Sequence, residues 1–274
     1  MIAEKNKTMT LNNGVNMPLI GYGTYLTAPQ NAEHLVGLAL EAGYRHIDTA
    51  QNYGNEHEVG LAVKNSGISR EELFITSKTQ TIGYTATKNG IRQSLKSFGL
   101  DYIDLMIIHW PNGDNEGTYR ALVEAYQSGI IRAIGVSNFN AHQINALTRR
   151  FDVKPAVDQI ETHVLWQQKK MHQYLIEQGI AHESWSPFGE GMDDIFRNET
   201  LITIGLAHGK STAQVILRFL VQKDIIIIPK STKQERMKEN LDIFDFSLTE
   251  EEMKTIAEMD KKKSYSGWPS SMQE

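Results

Sequence analysis

Short apolar runs recur along this chain and alternate with longer stretches whose apolar positions return at helical spacing. The strand-like runs are YRHID (44–48), LFITSK (73–78), YIDLMIIH (102–109), IRAIGVSN (131–138), AVDQIE (156–161), IAHESWS (180–186) and IIIIPKS (225–231). Amphipathic segments such as NAEHLVGLALEA, ATKNGIRQSLKSFG and STAQVILRFLVQK lie between them, and MPLIGYG (17–23) brings the strand count to eight. Strand and helix in strict alternation predict a parallel sheet of βαβ units, and eight units in 274 residues favour a closed (β/α)8 barrel over an open doubly wound sheet. TLNNGVNMP, ahead of the first unit, carries an Asn-Gly turn between extended pieces and predicts a small hairpin. With no linker, low-complexity tract or composition shift, residues 1–274 are expected to form one domain.

Composition narrows the chemistry. The chain has a net charge of -5, a hydrophobic fraction of 40% and no cysteine, which excludes disulfides, thiolate zinc sites and a cysteine nucleophile. The N-terminal MIAEKNKTMT has no signal-peptide core and no later run has transmembrane length, so a cytoplasmic protein without a membrane partner is expected. Lysine and arginine are scattered; the one compact basic run, Lys261 to Lys263, fits a solvated helix end better than a nucleic-acid patch.

In barrels of this kind the chemistry projects from the C-terminal strand ends. Those ends carry Asp48, Lys78, His109, Ser137 with Asn138, Gln159 with Glu161, Ser186, and Lys230 with Ser231. Singly, each has an ordinary reading: Asp48 as a turn or cap residue, Lys78 as a snorkelling lysine, His109 as a satisfied core histidine, Tyr53 as an aromatic loop residue. Together they make a proton-transfer set in which a carboxylate holds an ammonium, the ammonium lowers a phenol pKa and an imidazole orients a carbonyl. A metallohydrolase fits less well, because no HxH pair follows the first strand and the other strand-end histidines are only His163 and His182; no metal is expected. A glycosidase pair of Asp48 and Glu161 ranks lower still, since Lys78 would neutralise one member.

A GxGxxG fingerprint is absent: GYG at 21–23 lacks the third glycine and the following helix. Phosphate binding is instead expected around IIIIPKSTKQERMKEN, where Lys230, Ser231, Thr232 and Arg236 surround a strand-to-helix turn. Gly189 and Gly191 would allow backbone amides to approach a pyrophosphate, and Trp185 offers a flat stacking surface.

Five ordered motifs, GYRHIDTAQNYGNEHEVG (43–60), the strand carrying Lys78, IIHWPN (107–112), IGVSNF (134–139) and IPKSTKQERMKEN (228–240), resemble the aldo-keto reductases, most closely the bacterial branch that includes 2,5-diketo-gluconate reductases. The resemblance implies a barrel with an N-terminal hairpin that binds NADPH without a Rossmann domain and reduces aldehydes, dicarbonyls or keto sugars. It makes Tyr53 the proton donor, Lys78 its modulator, Asp48 the partner of Lys78, and His109 the group that orients the carbonyl. It assigns the carboxamide to Ser137, Asn138 and Gln159, the nicotinamide face to Trp185, and the pyrophosphate to Ser186, Phe188 and Gly189. Lys230, Ser231, Thr232 and Arg236 fall at the adenosine 2′-phosphate, Glu239 and Asn240 near the adenine, and Gly23 and Thr24 on the cofactor side of the first strand. Tyr22, Tyr25, Trp110 and Asn112, with Trp268 from the tail, are expected as substrate walls. Asp158 stands where relatives have asparagine, Thr79-Gln80 where many have an aromatic, and Val164 where proline is common. The expected partner is a small carbonyl compound and the expected state a monomer. The different-class alternative is an NADPH-binding barrel with a sensor role and little turnover.

Overall fold

The computed structural model describes residues 7–262, 264, 266 and 267. Trp268 and Lys263 lie outside them. An antiparallel hairpin of β1 (Thr8–Thr10) and β2 (Asn16–Pro18) comes first, in register Thr10↔Asn16. Gly14 takes the left-handed conformation that closes its turn. Asn12 and Asn13 donate from their side chains to the Pro155 and Arg132 carbonyls, and Leu11 and Met17 pack against Phe74, Leu105 and Ile226. The hairpin is therefore a plug in the floor of the barrel.

Eight parallel strands follow: β3 (Tyr22–Gly23), β4 (His46–Asp48), β5 (Phe74–Thr79), β6 (Ile103–Ile108), β7 (Ile131–Ser137), β8 (Val157–Glu161), β9 (Ala181–Trp185) and β10 (Ile225–Ile227), each hydrogen-bonded to the next in chain order. A parallel bridge between Ile20 and Ile227, with Gly21 N–H on the Ile227 carbonyl at 2.8 Å, joins the last strand to the first and closes the cylinder. The MPLIGYG run is thus divided: Met17 and Pro18 serve the hairpin and only its end serves the barrel. Gly23 is demanded by this closure, because a Cβ there would lie 2.9 Å from the Ile228 carbonyl oxygen.

The helices α1 (Pro29–Ala42), α2 (Glu56–Asn65), α3 (Tyr84–Phe98), α4 (Asn115–Gln127), α5 (Ala141–Thr148), α6 (Lys169–Gln178), α7 (Glu199–His208), α8 (Thr212–Val221), α9 (Gln234–Leu241) and α10 (Glu250–Ala257) surround it. Their starts are encoded locally: capping boxes pair Asn140 with Gln143, Ser211 with Gln214 and Thr249 with Glu252. Gly43, Gly99, Gly179 and Gly209 end helices in the left-handed conformation. Apolar residues on the outer strand faces and the inner helix faces form the main core, with Val36, Ile47, Leu122, Ile134 and Leu217 among its fully buried members. None of the described helices is long and apolar enough to cross a membrane.

Asp158 is one polar exception in that shell. It is fully buried, no donor meets either carboxyl oxygen in hydrogen-bonding geometry, and burial pushes its pKa well above the ordinary value, outweighing the nearby Phe139 backbone amide, which lowers it. Folding above the ordinary carboxyl pKa of about 3.9 therefore takes up a proton. Its contribution to stability is fully present below that pH and falls as pH rises toward the folded value, by at most about 1.4 kcal/mol per unit. Urea unfolding of Asp158→Asn should show a variant more stable than the parent at pH 8, with the gap shrinking toward pH 5; a gap independent of pH would contradict the buried neutral acid.

Candidate active site

Asp48 ends β4 deep in the rim, where Thr24 donates to its backbone carbonyl from both N–H and Oγ1, each at 3.0 Å. Two residues beyond the position paired with Asp48 on β5, Lys78 extends back across the opening. Its Nζ donates to Asp48 Oδ1 at 2.5 Å and to the Thr49 carbonyl at 2.9 Å, and lies 3.5 Å from the Tyr53 hydroxyl. Tyr53 reaches this point through a 3-10 turn, Gln51–Tyr53, ended by left-handed Gly54. The loop is held from both sides. Asn55 accepts from Thr49 Oγ1 at 2.6 Å and donates to the Thr24 and Thr27 carbonyls, while Gln51 Oε1 accepts from Gln80 N–H. His109, just past β6, meets the Tyr53 ring edge-on at 5.7 Å and stacks on Trp110 at 5.8 Å. The four residues proposed for proton transfer therefore meet at one opening.

Electrostatics sharpen their chemical capacities. Lys78 is buried, which by itself would lower its pKa, but its neighbours, the Asp48 carboxylate first among them, more than offset that and keep it a cation. Burial raises Asp48, with Lys78 and Gln159 pulling it down; a donor on each oxygen, Lys78 on Oδ1 and Gln159 Nε2 on Oδ2 at 2.9 Å, suits the carboxylate. Tyr53 departs from the sequence expectation. Burial pushes the phenol above its ordinary pKa, and the Lys78 charge offsets this only in part. The phenol is thus a loaded proton donor at neutral pH rather than a ready phenolate. Burial and then the Lys78 charge pull His109 down to about 3, so its imidazole is neutral and can offer an N–H.

The remaining candidates fall into four groups. On one wall Ser137 donates to the Gln159 carbonyl at 2.7 Å, Asn138 holds a left-handed backbone and donates to Ser137 Oγ and the His109 carbonyl, and Trp185 Nε1 donates to Asn138 Oδ1 at 2.9 Å. Ser186 and Gly189 both adopt left-handed backbone beyond β9, with half-buried Phe188 between them. Past β10, Lys230 and Ser231 are half-buried, Thr232 and Arg236 exposed, and Lys230 and Arg236 make no ion pair among the described residues. Glu239 accepts from Ser211 Oγ, and Asn240 is buried. Over the opening, Tyr25 packs on Tyr53 at 5.2 Å and Trp110 faces Trp185 edge-on at 6.4 Å.

Of the expected contact residues, Tyr22 sits elsewhere, and Thr24, Asn112 and Gly23 have local structural roles. Strand alternation turns Tyr22 to the outer face, where it packs edge-on against Tyr44 and its hydroxyl donates to the Ser231 carbonyl; it is no substrate wall. Thr24 is buried with its hydroxyl committed to Asp48. Asn112 Oδ1 accepts from Asp114 N–H in a local turn. Gly23 serves barrel closure.

Two interior residues escaped the sequence reading. Glu183 accepts from Gln159 Nε2 at 2.8 Å, and His46 Nε2 lies 3.0 Å from Thr76 Oγ1 and 3.8 Å from Glu183 Oε1. Counting back by two from Asp48 and from Trp185, the strand period, would have placed both on the inner face. The described residues hold no cluster of three or more His, Asp or Glu suited to a metal ion.

The sequence profile described as "Aldo/keto reductase family" matches residues 19–261. A protein named glyoxal reductase from Bacillus subtilis (strain 168) is 46% identical over 258 residues, covering 93% of this chain and 93% of its own. A solved aldo-keto reductase enzyme from a Medee basin deep-sea metagenome library superposes with a TM-score of 0.91 at 44% identity, covering 94% of this chain and 96% of its own. An aldo-keto reductase of Bombyx mori, solved in complex with NADP, gives 0.90 at 34% identity, covering 95% of this chain and 94% of its own.

Proposed function

This chain belongs to the aldo/keto reductase family and is an oxidoreductase, and from that premise we propose that it reduces aldehydes and ketones to alcohols with NADPH, Tyr53 supplying the proton. The observation that carries this reading is the Lys78 ammonium, placed on Asp48 at 2.5 Å and 3.5 Å from the Tyr53 hydroxyl in one rim. When bound, reduced nicotinamide would supply the hydride for the carbonyl carbon. As negative charge develops on the carbonyl oxygen, Tyr53 delivers its hydroxyl proton to that oxygen. Lys78 stabilises the phenolate left behind, and Asp48 keeps Lys78 charged and placed. Neutral His109 holds the same oxygen by an N–H and fixes the approach angle.

The residues present fit the cofactor. Trp185 offers a partly exposed ring, Asn138 and Gln159 offer amide oxygens, left-handed Ser186 and Gly189 shape a loop for a pyrophosphate, and two cations without ion pairs among the described residues flank the N-terminus of α9. Lys230 and Arg236 are the physical basis for selecting the 2′-phosphate. Replacing both, as Lys230→Met with Arg236→Gln, should weaken NADPH binding by about a hundredfold, since a hydrogen bond to a charged group is worth roughly tenfold or more. NADH binding should be unchanged in the same fluorescence titration. An equal loss for both cofactors would place the 2′-phosphate elsewhere.

For the substrate, the aromatic rings of Tyr25, Trp110 and Trp185 and the likeness to a glyoxal reductase support small dicarbonyls and flat aromatic aldehydes. Turnover of methylglyoxal and a substituted benzaldehyde at saturating NADPH, above that of open-chain hexoses, is the expected ranking. A preference for the sugars would overturn it.

A further inference from the structure

Below the Asp48–Lys78 pair the barrel holds a second carboxyl group that the proton-transfer scheme does not use. Glu183 is fully buried on the inner face of β9. Gln159 stands between the two acids: its Nε2 donates to Asp48 Oδ2 at 2.9 Å and to Glu183 Oε2 at 2.8 Å. A primary amide nitrogen has two hydrogens, and both are thereby committed. The one hydrogen-bonding atom left on that side chain is Oε1, which can only accept.

We propose that Glu183 is a positioning residue for the nicotinamide site: with Asp48 it locks the Gln159 amide nitrogen-inward, so that Oε1 is presented to the N–H donors of the cofactor carboxamide. This rests on the NADPH reading above. One acceptor would leave the amide plane free to turn about its last torsion, which is broad for glutamine; a second acceptor on the other hydrogen fixes the plane. The reverse orientation would set Oε1 against the Asp48 carboxylate and leave a buried carboxyl oxygen without its donor.

Below Glu183 lies the neutral His46 ring, packed against it without a hydrogen bond, so Gln159 is the side-chain hydrogen-bond partner of Glu183 among the described residues. His46 lies 3.8 Å from Glu183 Oε1, and the His46 ring occupies the space over Gly21, where a Cβ would come within 2.4 Å of Nδ1. Burial and the charge of Asp48 push Glu183 up to about 8, so near neutral pH it is mostly a neutral acid with a carbonyl-type oxygen available to Gln159. Glutamine at this position preserves that acceptor, whereas an apolar side chain removes it.

The test compares the dissociation constants of NADPH and of its 3-acetylpyridine analogue, whose methyl ketone lacks the carboxamide N–H, by protein fluorescence. Wild type should prefer NADPH by about tenfold, the usual net worth of one such hydrogen bond. Glu183→Gln should keep that preference, and Glu183→Leu should bring it close to unity, with Glu183→Met as a second apolar variant should the branched side chain not fold. A purely structural role would weaken both ligands alike and leave the ratio at its wild-type value in the apolar variants, which would overturn the proposal. Wild-type binding without preference would also overturn it while leaving the cofactor reading intact. Failure of wild type to bind either ligand would overturn both.

Discussion

Tyr53→Phe should lower kcat by 10²- to 10⁴-fold, the range typical of a lost general acid, while the dissociation constant for NADPH stays within about twofold of wild type. The substitution removes only the hydroxyl. The ring keeps its contacts with Tyr25 at 5.2 Å and His109 at 5.7 Å, and the hydroxyl's contact with Lys78 Nζ is long, at 3.5 Å. Stopped-flow reduction and a binding titration on the same preparation separate the two effects. Because burial keeps the phenol protonated, wild-type activity should not fall between pH 6 and 8 through loss of this proton. Retained reduction in Tyr53→Phe would move the acid to another group, with the Lys78 ammonium, 3.5 Å from the hydroxyl, the nearest proton donor.

Lys78→Met should abolish turnover to a similar degree and, unlike Tyr53→Phe, destabilise the fold. Removing the ammonium leaves Asp48 buried with Gln159 as its remaining side-chain donor, and breaking a buried ion pair from one side costs about 3–5 kcal/mol. The double variant Asp48→Asn with Lys78→Met has no stranded charge and should recover most of that stability while remaining inactive. Urea unfolding and steady-state kinetics on the single and double variants read the two quantities independently. Recovery of activity with stability in the double variant would show that the pair serves the fold and not the reaction.

Much of this arrangement was legible from the alternation of strands and helices. Asp48, Lys78 and His109 end apolar strands, and a barrel obliges such ends to converge. Tyr53 was legible only in company with Asp48, Lys78 and His109 and through the family resemblance; alone it read as an aromatic loop residue. What escaped the reading was inside the cylinder. Glu183 and His46 lie two residues below the strand ends Trp185 and Asp48, on the same inner face, and a reading confined to strand ends does not reach polar residues one pleat lower. Tyr22 was misplaced for the same reason: in GYG the glycines face inward, and the large side chain must turn out toward Tyr44. The net pKa of Tyr53 was not legible either, because charge proximity shows in sequence spacing and burial does not.

The most direct test of direct hydride transfer coupled to Tyr53 follows a label. Wild-type enzyme is given NADPH carrying deuterium at the transferring position of nicotinamide C4 and a small dicarbonyl, and the alcohol is analysed by mass spectrometry. One deuterium on the new carbinol carbon for each NADPH consumed, with that yield collapsing in Tyr53→Phe, is the predicted result. Tight NADPH binding without alcohol formation, or alcohol that carries no label, would contradict it.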